Sequence, residues 1–239
     1  RLTAYCEQMD MHNEFTTVRE ALEFSAKLRL DPSISDETRH AFVDEALEIL
    51  ELDSIAGRMI GTAGSETGLA PGQRKVLTVA VELVSNAPVF FLDEPTSGLD
   101  ARSALIVMKE VKKVAQLGRT VISTIHQPSM EIFVMFDDML LLQRGGYQVF
   151  FGELGPGGAT MVNYLQSLNM SFPLPAGMNP ASWMLDVLGG NDSSGGVSMK
   201  EGAPRHNNSV KRNSSMRRSG SGITLDGLVL DQKFAASAQ

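Results

Sequence analysis

The stretch from Val89 to Asp100 constrains the fold more than any other part of the sequence. Its apolar run, 88–92, ends abruptly at Asp93 and Glu94, which Pro95 and a polar turn follow. A short, wholly apolar run is typical of a strand that is buried on both faces of a parallel sheet. Such a strand delivers its carboxylates to the carboxyl-terminal edge of the sheet, where α/β proteins bind ligands. A strand that ends in a solvated turn would explain Asp-Glu-Pro, but hardly the whole stretch.

The two adjacent carboxylates suit a magnesium-dependent reaction with water. Mg²⁺ prefers hard oxygen ligands and keeps several of its waters, so Asp93 suits a ligand that binds directly or through water. Glu94 follows at once and is placed to orient or deprotonate an attacking water. The sequence therefore predicts a hydrolytic site at this edge of the sheet.

Helical and strand patterns alternate around this site. Caps and apolar spacing predict helices over 18–28, from a cap at Asp36 through Leu50, and over 72–84, 101–117 and 159–168. In the first of these, Val18, Ala21, Leu22 and Leu28 are expected to face inward. A second buried strand is predicted over 120–125, and a hairpin over 139–142 and 147–151. The alternation favours an α/β core, and the helices that precede the strands favour a helical insert or subdomain.

Composition narrows the class of protein. The formal net charge of −7 and the pI of about 5.1 do not suggest a basic surface for nucleic acid, so no nucleic-acid partner is expected. Cys6 is the only cysteine, which excludes an internal disulfide and fits a reducing compartment. The sequence holds no apolar run of the length that spans a membrane.

The stretch from Val89 to Asp100 resembles the Walker B motif and D-loop of ATP-binding-cassette (ABC) ATPases. The resemblance implies ATP and Mg²⁺ as cofactors, with Asp93 as a magnesium ligand and Glu94 as a catalytic residue. It also implies a dimer partner that Asp100 reaches, although a plain helix cap at Asp100 explains that residue equally well. Both readings of Asp100 are compatible.

Two more positions fall in the order of that family. Gln8 resembles the Q-loop glutamine, which implies a second magnesium ligand that couples Mg²⁺ and water to a transmembrane domain. His126, after the predicted strand 120–125, resembles the switch histidine that contacts the γ-phosphate. In isolation Gln8 would be an ordinary surface residue, and a lone histidine at a strand end is usually structural. The neighbouring motifs favour the functional interpretation of both.

The family's signature, Leu-Ser-Gly-Gly-Gln, corresponds to Leu69-Ala70-Pro71-Gly72-Gln73. A helix that starts there presents amides and a positive dipole end to a phosphate held by a partner domain. Ala70 lacks the serine hydroxyl and Pro71 lacks an amide proton. Because a charge-assisted hydrogen bond is worth about 1.5–3 kcal/mol, the loss of two donors predicts a weak half-site.

Further stretches resemble the white/pleiotropic-drug-resistance (G) branch of the family, and the likeness runs from Leu2 to about Gly189. They are Thr17-Val18-Arg19-Glu20, Gly72-Gln73-Arg74-Lys75, Val81-Glu82-Leu83, Ile125-His126-Gln127-Pro128-Ser129, Phe150-Phe151-Gly152 and Asn179-Pro180-Ala181. The degenerate signature beside intact Walker B chemistry resembles the second nucleotide-binding domain of a full-length transporter. The phosphate-binding Walker A loop of the family is absent and no Gly-Lys pair occurs, so we expect a fragment that is inactive alone.

The expected fold is therefore an α/β, partial P-loop NTPase (RecA-like) core with the ABC helical subdomain, followed by a disordered linker. The ABC domain is assigned to 1–188, with its helical subdomain at about 16–87. Residues 189–222, which are rich in Ser, Gly and Asn and carry a basic cluster, form the linker, and 223–239 are a candidate connector to a transmembrane domain.

The function implied by the resemblance is the motor domain of an exporter of drugs or lipids. The domain would work at the cytoplasmic face of a membrane, with a second nucleotide-binding domain and a transmembrane domain as partners. Two alternatives stay open: a truncated domain that does not catalyse, and a soluble ABC ATPase, which the 127–129 stretch and the tail disfavour.

Overall fold

The computed structural model describes residues 2–143, 145–168, 173–189 and 228–232. Helices and strands alternate along most of the chain. In chain order they are β1 (Thr3–Cys6), α1 (Val18–Arg29), α2 (Asp36–Ile49), α3 (Pro71–Leu83), β2 (Val89–Leu92), α4 (Ala101–Gln116), β3 (Thr120–Ile125), α5 (Met130–Phe133), β4 (Asp138–Gln143), β5 (Tyr147–Glu153), α6 (Ala159–Ser167), α7 (Pro180–Gly189) and β6 (Leu228–Gln232).

The described strands form one sheet in the order β1-β2-β3-β6-β4-β5. Strands β1, β2 and β3 are parallel, and their register places Cys6 beside Leu92 and Leu92 beside Ser123. Strand β6 is antiparallel to both of its neighbours, and β4 and β5 form the predicted hairpin. The α/β prediction is confirmed. The carboxyl ends of three parallel strands therefore meet at one edge of the sheet.

The prediction that β2 is buried on both faces was wrong. Phe90 is fully buried and Leu92 nearly so, but Phe91 is 36% exposed, and its register partner Tyr5 is 54% exposed. Helix α3 packs against β1 and α4 against β3. The buried side chains of the parallel strands alternate along each strand and so belong to one face. The half-buried pattern arises because the described helices cover that face more completely than the other.

The helix predictions hold to within about two residues at each end, which is the usual uncertainty of helix boundaries. Helix α1 begins with the predicted capping box of Thr17 and Glu20. Helix α2 is capped by Ser35 rather than Asp36, because Ser35 has the extended backbone that a cap requires and accepts from the Thr38 amide. Leu28, expected to face inward, is 68% exposed, since it lies off the buried face of α1.

Helices α1, α2 and α3 pack against one another, in the region where the helical subdomain was expected. Most of the predicted linker, 189–222, lies outside the described residues, apart from Gly189 at the end of α7. Within 223–239, only residues 228–232 are described, and they form β6 inside the sheet. The connector assignment for this segment stays a prediction. In the described part of the chain, no helix has both the length and the apolar character to cross a membrane.

The capping box of α1 gives a test of local stability. The Thr17 hydroxyl accepts from the Glu20 amide at 3.2 Å, and the Thr17 amide donates to the Glu20 carboxylate at 2.8 Å. We expect Thr17→Ala to lower the free energy of unfolding by about 1 kcal/mol, measured by urea denaturation. Thr67→Ala, the same change at an exposed loop position, is the control and should have little effect. Equal losses in the two variants would contradict a specific capping role.

Candidate functional site

Three parallel strands place the predicted site residues at one edge of the sheet. Gln8 follows β1, Asp93 and Glu94 follow β2, and His126 follows β3. The backbone amide of Asp93 donates to the Cys6 carbonyl at 3.0 Å, which continues the pairing of β1 and β2 past the end of β2. Residues that are far apart in the sequence are thereby brought together.

Two hydroxyl groups hold the Asp93 carboxylate. Tyr5 on β1 donates to Asp93 Oδ2 at 3.0 Å, and Thr124 on β3 donates to Asp93 Oδ1 at 2.9 Å. The hydrogen bond to Asp93 raises the pKa of the Tyr5 phenol, since the carboxylate favours the protonated donor. Each neighbouring strand thus contributes one donor, and the carboxylate is fixed from both sides.

The Thr124 hydroxyl also accepts from the backbone amide of Glu94 at 2.8 Å. Glu94 has a φ of 44°, in the left-handed region that non-glycine residues rarely adopt. Such a conformation costs about 1–3 kcal/mol and persists where the surroundings enforce it. Here the enforcing contacts are the Thr124 hydroxyl and the turn in which the Ser97 amide donates to the Glu94 carbonyl at 3.0 Å. At Glu94 the backbone therefore turns out of the direction of β2.

Gln8 and Glu94 are in direct contact. The Gln8 side-chain amide donates to Glu94 Oε2 at 2.9 Å and lies 3.3 Å from Ser97 Oγ. The structure therefore joins Gln8 directly to Glu94, and Glu94 to Asp93 through the Thr124 hydroxyl, in one hydrogen-bonded cluster. Asp93 and Glu94 are half-buried and Gln8 is exposed, so a ligand can reach all three.

His126 lies in a cleft beside this cluster. The cleft has a volume of about 610 Å³ and is lined by the turn after β2 (Thr96 and Leu99), by the loop after β3 and by α7. Asn179 fixes one wall, because its side chain accepts from the Ala181 amide at 3.0 Å and donates to the Pro128 carbonyl at 2.8 Å. His126 is exposed in this cleft and makes no hydrogen bond to Asp93 or Glu94.

Asp100 caps α4. Its Oδ1 accepts from the backbone amides of Arg102 and Ser103, both at 3.0 Å, and its Oδ2 accepts from the Ser103 hydroxyl at 2.7 Å. These bonds, with the Ser103 hydroxyl first, hold the pKa of Asp100 below its usual range. The cap explains Asp100 within this chain, while its exposure leaves it accessible to a partner.

The signature-like residues form the start of α3. Leu69 is buried, Ala70 is the N-cap without a side-chain acceptor, and Pro71 is the first helical residue. The Gln73 side chain accepts from the Ala70 amide at 3.1 Å. A Cβ built on Gly72 would lie 3.2 Å from the Ser103 Cβ, so the start of α3 packs tightly on the start of α4. The signature-like residues and the Asp100 cap are therefore neighbours.

Sequence reasoning missed three residues that shape this site, namely Tyr5, Thr124 and Lys75. Tyr5 and Thr124 hold Asp93, and Lys75 donates to the Gln8 carbonyl at 2.7 Å. The position of Thr124 within a predicted strand was a usable signal, since a threonine one residue before the strand end is adjacent to the ligand-binding edge. Nothing local in the sequence identifies Tyr5 or Lys75.

The donor set at Asp93 fits a magnesium ion that is held mainly by phosphate and water. Each Asp93 oxygen accepts one hydrogen bond from Tyr5 or Thr124, and a carboxylate offers about four lone-pair sites, so sites remain for a cation. Among the residues that the structure describes, no group of three or more His, Cys, Asp or Glu side chains could hold a metal ion. Mg²⁺ at nucleotide sites commonly uses only one or two carboxylates, so the two findings agree.

Comparison with known proteins gives two family matches and close relatives. A family model described as ABC transporter matches residues 1–97, and one described as ABC-2 type transporter matches 126–204. ABC transporter G family member 51 of Oryza sativa subsp. japonica is 51% identical over 187 residues, which are 78% of this chain and 13% of that protein. ABC transporter G family member 32 of Arabidopsis thaliana is 49% identical with the same coverage. The chain thus spans about 13% of the length of these curated relatives.

A solved structure supports the fold independently. It is a dimeric ATP-binding cassette in a post-hydrolysis state, bound to ADP and Pi, and it superposes with a TM-score of 0.51 at 22% identity. The match covers 65% of this chain and 64% of that one. This likeness agrees with the family matches. Because relatives that are 51% and 49% identical match 78% of its length, the chain belongs to the G family of ABC transporters.

Proposed function

We propose that this chain is the hydrolytic part of a nucleotide-binding domain in an ABC exporter, in which ATP hydrolysis drives efflux of drugs or lipids. The observation that carries the proposal is the hydrogen-bonded cluster of Gln8, Asp93 and Glu94 at the carboxyl ends of parallel strands. The relatives named as G family transporters support the exporter context. The domain would lie at the cytoplasmic face of a membrane, and its partners would be a transmembrane domain and a second nucleotide-binding domain.

The chemistry assigns a separate role to each residue. Asp93, fixed by Tyr5 and Thr124, would hold Mg²⁺, which supplies charge neutralisation on the β- and γ-phosphates of ATP. Glu94 would orient or deprotonate the attacking water, and Gln8 keeps the Glu94 carboxylate in place. His126 would contact the γ-phosphate from the neighbouring cleft.

The signature-like residues would serve the other site of the dimer. Backbone amides at the start of α3 favour an anion, but Pro71 contributes no amide hydrogen and Ala70 contributes no hydroxyl. We therefore propose an asymmetric pair of ATP sites, as in a second nucleotide-binding domain of a full-length transporter. The site with Asp93, Glu94 and His126 hydrolyses ATP, and the site that uses Ala70–Gln73 binds it weakly.

A second candidate function is a domain that binds a partner without hydrolysing ATP. One observation favours it: the signature-like residues lack two donors, because Ala70 has no hydroxyl and Pro71 has no amide hydrogen. We expect the 239-residue chain to be inactive alone, because it contains no Gly-Lys pair that could grip the phosphates. The experiments below separate the two candidates in the full-length protein.

The catalytic role of Glu94 is tested by Glu94→Gln in the full-length transporter that contains this chain. We expect Mg²⁺-dependent ATP hydrolysis to fall by about 10²–10⁴-fold while ATP still binds, because the amide cannot act as a base. Glu131→Gln, at an exposed glutamate of α5, is the control and should keep wild-type turnover. A wild type that binds ATP without turning it over would favour the non-catalytic function.

The role of Thr124 is tested by Thr124→Val, which removes the hydroxyl with little change in shape. We expect the Mg²⁺ concentration for half-maximal ATPase activity to rise by about 10-fold or more, because Asp93 loses one of its two positioning donors. Thr120→Val, on the same strand and the same face, is the matched control. A titration in which both variants need the same Mg²⁺ concentration as wild type would contradict this role.

The weak half-site is tested by restoring the missing donors with Ala70→Ser and Pro71→Gly together. ATP occupancy at the site that uses this signature should rise by about 10-fold, which is roughly the value of one regained hydrogen bond to a charged group. Occupancy is measured by photo-crosslinking of labelled ATP in the full-length transporter. If occupancy stays the same at both sites, the asymmetry does not come from Ala70 and Pro71.

A further inference from the structure

Lys75 is a buried charge on α3. Its side chain is 3% exposed, whereas lysines are rarely fully buried without a partner. The ammonium group lies 2.8 Å from Asp10 Oδ1 and donates to the Gln8 carbonyl at 2.7 Å, with the Glu7 carbonyl at 3.5 Å. All of these acceptors belong to the loop that follows β1. The charge is therefore satisfied by one short segment of the chain, which it ties to α3.

A second side chain of α3 supports the same loop. Thr78, one helical turn after Lys75, donates to Asp10 Oδ1 at 2.6 Å. Because the Thr78 hydrogen is used in this way, His12 Nε2 acts as the donor to Thr78 Oγ1, at 2.9 Å. Burial lowers the pKa of His12, so its neutral form, which still carries one ring N–H, is favoured. The loop is held by a connected set of polar contacts rather than by a single ion pair.

Gln8 lies between this anchor and the proposed catalytic residue. Lys75 binds its backbone carbonyl, and the Gln8 side chain reaches Glu94 Oε2 at 2.9 Å. Gln8 is exposed, so we expect the position of its side chain to depend on the anchored backbone carbonyl. A contact that fixes the loop thereby fixes the hydrogen bond on Glu94.

We propose that Lys75 is a positioning residue, which anchors the loop after β1 so that the Gln8 amide is held on Glu94. The catalytic consequence rests on the proposed function, whereas the positioning of Gln8 does not. The alternative is that the ion pair of Lys75 and Asp10 only stabilises the fold and does not affect the position of the Gln8 side chain. The two differ in whether the loss of Lys75 changes Gln8 itself.

The chain offers a matched control in the ion pair of Arg29 and Glu82. This pair joins α1 to α3, and Glu82 is 7% exposed, so it is also largely buried. It contacts neither Gln8 nor Glu94. Arg29→Met should therefore lower the melting temperature without disturbing the proposed site.

The first experiment observes the Gln8 side-chain amide by ¹⁵N NMR in the 239-residue chain. Its resonance is assigned by its loss in Gln8→Ala. In Lys75→Met we expect this amide to shift and to exchange with water about 10-fold faster, because its hydrogen bond to Glu94 is weakened. In Arg29→Met it should stay as in wild type. An unchanged Gln8 amide in a folded Lys75→Met chain would overturn the proposal.

Removal of one buried charge can prevent folding, because its partner is left uncompensated. If Lys75→Met does not give a cooperative thermal transition, the double variant Lys75→Met/Asp10→Asn removes both charges and takes its place. The Gln8 amide is measured in the same way in this variant. The same change supports the proposal, and the same absence of change overturns it.

The second experiment is a double-mutant cycle on ATPase activity in the full-length transporter. Lys75→Met should lower kcat by about 10-fold with little change in KM for ATP. In a Gln8→Ala background the same substitution should cause no further loss, because the residue through which Lys75 acts is gone. An equal loss in both backgrounds would indicate a structural role only. A wild type without ATPase activity would reject the proposed function, while the NMR experiment would still decide the role of Lys75.

Discussion

The parallel pairing of β1, β2 and β3 is the constraint on which the site depends. The register aligns Cys6 with Leu92, where β1 and β2 end, and Leu92 with Ser123, just before the end of β3, and the bond from the Asp93 amide to the Cys6 carbonyl extends the pairing into the loops. A shift by one residue would turn Tyr5 and Thr124 to the opposite face and remove both donors from Asp93. The buried row of the sheet, packed by α3 and α4, opposes such a shift because it would expose apolar side chains. Packing on the buried face of the sheet thus determines which side chains contact Asp93 at the carboxyl-terminal edge.

The parts of this arrangement that a reader could predict from the sequence are those with a local cause. The position of Asp93 and Glu94 at the end of a strand is predictable from an apolar run that stops abruptly. The start of α1 is predictable from the Thr17 capping box. Tyr5 and Lys75 have no such local cause, and for Thr124 the sequence gives only its place next to the end of a predicted strand. Their roles arise from which strand pairs with which and from which helix covers the loop after β1, and both are long-range facts. The expected burial of Phe91 failed for the same reason, because an apolar run does not say which face of the sheet is covered.

Strand β6 is the clearest case of a feature beyond local prediction. It occupies the position between β3 and β4 and runs antiparallel to both, so among the described strands it is what joins the parallel part of the sheet to the hairpin. The pairing connects Leu228–Gln232 with β3, more than a hundred residues earlier, and with β4, more than eighty residues earlier, and no spacing rule in the sequence predicts it. The entropic cost of closing a loop rises only slowly with the length of the loop, so a short strand can pair with strands far earlier in the sequence. The sequence indicated a composition change before this segment and a candidate connector over 223–239, but no strand.

Helix α3 links the two functional surfaces that the sequence suggested separately. Its start carries the signature-like residues and packs on α4 through Gly72 and Ser103, next to the Asp100 cap. Its second turn carries Lys75, which holds the loop of Gln8 and so reaches Glu94. Because close-packed elements transmit displacement rather than absorb it, a shift at the start of α3 has to be accommodated either at the α4 contact or at the Gln8 loop. The proposed phosphate binding at the start of α3 and the proposed water activation at Glu94 would then be coupled through one rigid helix.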